Sequence, residues 1–137
     1  MCSSDLTEDS TRIGLVFAKE EPKYEVRVAS VVNTGFRIPA GDENYPVVGS
    51  IKNIPADVKV LAFLPHMHLR GKSFRFEAHY PDGVSETLLD IPRFDFNWQT
   101  IYSLKTPRRM PRGTVVACRA VFDNSADNVY KIGRAHV

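Results

Sequence analysis

The sequence predicts an all-β domain, an antiparallel β-sandwich of jelly-roll-like type with little helix. Three observations carry that expectation. Short runs rich in β-branched and aromatic residues recur along the chain, nine prolines and eight glycines punctuate it at strand-like intervals, and no segment sustains a capped 3.6-residue apolar period. With 137 residues, 43% hydrophobic and 25% charged, one globular domain is expected, and disordered or collagen-like classes are excluded.

The two ends stand apart from that domain. Ile132 to Val137 translate the string ATC GGA AGA GCA CAC GTC, a sequencing-library adapter, and Met1 to Leu6 fit its reverse complement read from a GTG start. The expected organisation is therefore an adapter-derived tag over 1–6, a single β-sandwich domain over 7–131 that is incomplete at both ends, and a second tag over 132–137. A sandwich cut in this way exposes strand edges, so self-association is expected.

Within the domain, the expected strands are Arg12 to Ala18, Tyr24 to Val31, Tyr45 to Ile51, Val58 to Leu69, Ser73 to Tyr80, Glu86 to Ile91, Trp98 to Leu104 and Thr114 to Phe122. Tyr24, Val26 and Val28 alternate with Glu25 and Arg27, and Phe74 and Phe76 with Arg75 and Glu77, which gives each strand one dry face and one wet face. Pro81-Asp82-Gly83 supplies a preset φ and then a residue tolerant of φ > 0, so Ser73 to Ile91 is expected to form a tightly registered hairpin. Lys105 to Gly113 reads as a solvated basic connection with polyproline II character. Cys118, the one cysteine outside the tags, lies in an apolar run and reads as a small core residue.

Composition also narrows the partners. Lys plus Arg number 18 against 16 Asp plus Glu, a net charge of +2, which leaves no basic footprint for nucleic acid. No run approaches the roughly 20 apolar residues that span a bilayer, so neither a nucleic-acid nor a membrane partner is expected. Neither a phosphate-cradling glycine loop nor a serine or cysteine nucleophile motif is present.

The residues with chemistry to offer are His66 and His68. On a strand, side chains two apart share a face, so His66-Met67-His68 would present two imidazoles about 6.5 to 7 Å apart at Cα, able to converge on one ion. Met67 would point away, so a third ligand has to come from elsewhere. Two imidazoles suit copper or zinc, and a thioether as third ligand would favour copper. The pair also has a plainer reading as two polar residues on a wet strand face. His79, beside the Pro-Asp-Gly turn, reads as a solvated hairpin histidine, and Met110 as a packing residue.

Pro65-His66-Met67-His68-Leu69-Arg70-Gly71-Lys72 resembles the His-Thr-His-Leu-x-Gly and His-Thr-His-His-Leu-Gly-Lys segments of the copper type II, ascorbate-dependent monooxygenases, the peptidylglycine and dopamine β-hydroxylating enzymes. Both histidines and the glycine coincide. Arg37-Ile38-Pro39-Ala40-Gly41 is similar to the Ile-Pro-Pro-Gly segment upstream of that motif. Asp95-Phe96-Asn97-Trp98-Gln99, Gly113-Thr114 and Arg119-Ala120-Val121-Phe122-Asp123-Asn124 are similar to the strands that follow it. The resemblance runs in order from about Arg12 to Asn128 and is strongest to bacterial multidomain members of the family.

The resemblance implies a two-domain copper enzyme, of which this chain is the core of the C-terminal catalytic β-sandwich. In that family the N-terminal domain's copper supplies an electron and the C-terminal copper has two histidines and a methionine. His66 and His68 match the two histidines. The implied reaction hydroxylates a C–H bond of a small-molecule or peptide-like substrate with O2, using copper and ascorbate, in an extracytoplasmic setting. The implied partner is the N-terminal copper domain. Two departures stand out. The family's methionine ligand would follow Asn124 in a segment this chain lacks, so the chain alone is expected to be inactive. Peptide-amidating members carry an arginine two residues before the first histidine, where this sequence has Leu64. An aliphatic side chain there removes the bidentate grip on a substrate carboxylate. The alternative from another class is a non-catalytic β-sandwich, a binding or assembly module with a vestigial metal site.

Overall fold

A computed structural model describes residues 10–130, so both hexapeptide ends lie outside the described residues. Six strands follow in order: β1 (Tyr45–Ile51), β2 (Val58–Phe63), β3 (Gly71–His79), β4 (Ser85–Ile91), β5 (Tyr102–Met110) and β6 (Val115–Phe122). They form two antiparallel sheets, β1-β6-β3-β4 and β2-β5, and no helix occurs among the described residues. The all-β sandwich expected from sequence is thus the architecture observed.

The core lies between the sheets. Met110 of β5 and Val60 of β2 pack with Ala78 of β3, Val116 of β6 and Leu88 of β4, and Phe63 of β2 meets Phe76 of β3 at a ring separation of 4.7 Å. A second cluster gathers Val47, Phe74, Ala120 and Phe122 with Ile38 and Met67 from the connections. Phe74 is buried and Arg75 exposed, as the alternation predicts, and Arg75 clasps Asp90 across the β3–β4 ladder at 3.1 Å.

The β3–β4 hairpin forms where expected. Gly83 adopts φ 87° and the turn closes through Tyr80 N–H to Val84 O at 2.8 Å and Gly83 N–H to Tyr80 O at 3.0 Å. Its register is looser than the turn suggests, because a bulge shifts the pairing between Phe76 and Glu77. That bulge leaves Leu88 as an extra residue, and it packs into the core.

Five expectations need correction. Residues 12–18 and 24–31 form no strand and join no sheet, because no described strand lies opposite them; Val16 is 100% and Val28 92% exposed. The run from Val58 ends as a strand at Phe63, with Pro65, which lacks an N–H, just beyond. The strand placed at Trp98 to Leu104 starts later, at Tyr102, because a turn closed by Trp98 N–H to Asp95 O at 3.0 Å occupies its beginning. Most of the expected basic loop is strand: β5 continues to Met110, and Pro107 is tolerated because it falls in the register shift opposite Leu61, where no ladder bond is required. Lys105, Arg108 and Arg109 face solvent there.

Candidate metal centre

His66 and His68 lie in the connection from β2 to β3, not on a strand. The segment nevertheless keeps strand-like alternation, with Leu64, His66 and His68 exposed and Pro65 and Met67 buried. The core pulls every second side chain inward, and this delivers the two imidazoles to one side without a hydrogen-bonded ladder. Their ring centres are 5.2 Å apart and their planes cross at 85°. Imidazoles sharing one ion through bonds of about 2.0 Å at a near-tetrahedral angle hold their ring centres about 5 Å apart, so this spacing suits a shared ion. It equally suits an edge-to-face contact between two rings.

The position of the pair is set from beneath and from behind. Met67, only 3% exposed, inserts into the cluster with Phe74 and Phe122. Directly after the pair, Gly71 N–H donates to His68 O at 2.8 Å and turns the chain into β3. A Cβ at Gly71 would stand 2.9 Å from Met67 Cβ and from Phe94 Cδ1, so only glycine lets the turn close onto Met67. Arg70 is buried, which lowers its pKa, and its carbonyl accepts the Asp123 N–H at 2.9 Å. The segment resembling Ile-Pro-Pro-Gly is tied to the same end of the molecule. Asn124 Nδ2 donates to Pro39 O at 2.9 Å, Gly41 N–H donates to Asn124 O at 3.0 Å, and Lys72 Nζ donates to Asn44 Oδ1 at 2.9 Å. Sequence reading gave no sign of the tight Gly71–Met67 contact, nor of Phe94 reaching Gly71 from beyond β4.

Among the described residues the donor set stops at two. No group of three or more His, Cys, Asp or Glu side chains suited to a metal occurs among the described residues. Met67 points into the core, and Met110 is fully buried with Ile54, Ala78 and Val116, so neither thioether faces the imidazoles. His79 sits at the exposed end of β3 with Nδ1 2.8 Å from Ser85 Oγ, as a solvated hairpin histidine would. Cys118 is half-buried, its thiol donates to Gly49 O at 3.4 Å, and burial raises its pKa.

An open cleft of ≈ 440 Å³ lies elsewhere, lined by Tyr80, Asp82, Val84, Arg108, Arg109 and Pro111. Its two guanidinium groups are already engaged. Arg108 bonds Glu86, and Arg109 meets Asp57 at 2.8 Å and holds that carboxyl below the usual range. The histidine pair is outside this cleft. No protein-family model matches the chain, and no curated protein matches it.

Proposed function

We propose that the chain carries part of the catalytic copper centre of an ascorbate-dependent monooxygenase, with His66 and His68 as two of the copper ligands. The observation that carries this reading is the convergence of both exposed imidazoles at 5.2 Å within a segment anchored by a buried methionine and closed by a turn at Gly71. The resemblance of the surrounding residues to the copper type II monooxygenases directs it to copper. Copper held there would supply dioxygen activation, one oxygen atom entering a substrate C–H bond and the other leaving as water, with two electrons from ascorbate. The chain's own part is to hold the two imidazoles on one side and to present Leu64, 57% exposed, beside them. An aliphatic neighbour favours an uncharged substrate group over a carboxylate. By the resemblance, the third donor would be a methionine in a segment that this chain does not contain, and the electron-supplying copper would sit in a partner domain.

Titration of the full chain with Cu(I) and Cu(II) against a competing chelator tests the reading. Histidine-dependent Cu(I) binding at one equivalent, lost in the His66→Ala, His68→Ala double variant, is expected. Two donors bind more weakly than a completed site, so supplying free thioether should tighten the Cu(I) complex. Binding indifferent to both substitutions would leave the sandwich as a non-catalytic module.

A further inference from the structure

Residues 31–36 run beside β1 without joining it. Phe36 stacks on Tyr45 with ring centres 6.5 Å apart, Asn33 Nδ2 donates to Val48 O at 3.1 Å, and Val31 lies against Gly49, where a Cβ would fall 2.5 Å from its Cγ1. Each step back along the segment is a step forward along β1, an antiparallel course. Continued to β1's last residue, Ile51, this course is used up by about residue 30, so Tyr24 to Val28 overrun the strand. Tyr24 is 88%, Val26 73% and Val28 92% exposed, an apolar face with no described strand opposite it. On the reverse face the exposed Glu25 and Arg27 pair with each other at 2.7 Å.

We infer that residues 24–28 form a self-complementary edge strand that pairs antiparallel with the same residues of a second copy of this chain. Charge complementarity selects the occupant and the register. With Val26 opposite Val26 on the two-fold axis, Glu25 of each copy faces Arg27 of the other, and Tyr24 faces Val28, an aromatic and β-branched pair. A two-residue slip in either direction sets Glu25 against Glu25 or Arg27 against Arg27, and a one-residue slip puts charged residues opposite the apolar face. Pro22 ends the ladder on one side because it has no N–H to give. The contact adds main-chain hydrogen bonds to an exposed edge, the chemistry of strand augmentation. It is independent of the copper reading.

Sedimentation of the full chain over a wide loading range tests this, because the arm makes no contact that would unfold the body when its charges change. The wild-type chain is expected to show a reversible monomer–dimer equilibrium. Glu25→Arg alone, or Arg27→Glu alone, places like charges opposite each other twice per dimer and should weaken association about tenfold. The double reversal Glu25→Arg, Arg27→Glu restores opposite charges at both positions and should restore the dimer. A chain that is monomeric throughout, a dimer insensitive to the single reversals, or a double reversal that fails to recover association would overturn the proposal.

Discussion

Gly71 shows how one residue without a side chain can fix the spacing of two that carry chemistry. Its would-be Cβ collides at 2.9 Å with Met67 Cβ, an atom attached to the backbone between the two histidines and unable to swing aside. Gly71→Ala must therefore push the His68–Gly71 turn away from Met67 or lift Met67 out of its cluster. Overpacking of this kind costs about 1–3 kcal/mol, and urea denaturation should show a loss in that range. On the proposed reading, the histidine-dependent copper affinity should fall in the same variant, since both imidazoles flank the displaced residue. The histidine pair itself was legible from sequence, because a two-residue spacing puts both rings on one side of any extended chain. What held them was not, because the tight Gly71–Met67 turn has no sequence signal of its own and Phe94 reaches Gly71 from beyond β4.

At the scale of elements, a polar bridge joins the β4 edge of the larger sheet to β5 of the smaller. Tyr80 Oη donates to Glu86 Oε2 at 2.8 Å, and Arg108 of β5 reaches the same carboxylate oxygen of β4. The Tyr80 hydrogen bond, and then Arg108, hold the Glu86 carboxyl below its ordinary range. A carboxyl depressed in the folded state contributes stability above its unfolded pKa and loses it as pH falls through the folded value. Glu86→Gln should therefore be less stable than wild type at pH 7, with the difference shrinking as pH falls below the ordinary glutamate value of about 4.3 and on through the lower folded value. Urea midpoints at the two pH values check this. Strands with a turn signal and a clear alternation, β3 and β4 above all, could be read from sequence. β5 could be read only at its start, Tyr102 to Leu104, because Pro107 and three cations beyond it imitate a loop, and only the bulge opposite Leu61 makes them compatible with a ladder. Residues 12–18 and 24–31 failed in the other direction. Their β-propensity is real, but propensity supplies no partner strand.

For the molecule as a whole, the described chain divides into a packed sandwich and an extended arm that touches it in one stretch. Every residue from 10 to 30 is exposed, whereas Phe36 packs 5.2 Å from the Phe122 ring and joins the cluster that contains Met67. The boundary between arm and body therefore falls between Ser30 and Phe36. Two truncations separate the roles. Removing residues through Ser30 takes away residues that are all exposed, so the unfolding free energy should stay within about 0.5 kcal/mol of the full chain, while self-association disappears. Removing residues through Phe36 also strips an aromatic ring from Tyr45 and Phe122, and should cost about 1–3 kcal/mol more. If the shorter truncation already unfolds the sandwich, residues 10–30 stabilise the body in solution, and the division into arm and body fails. If both truncations keep full stability, Phe36 is not part of the core that positions Met67 and, through it, the histidines.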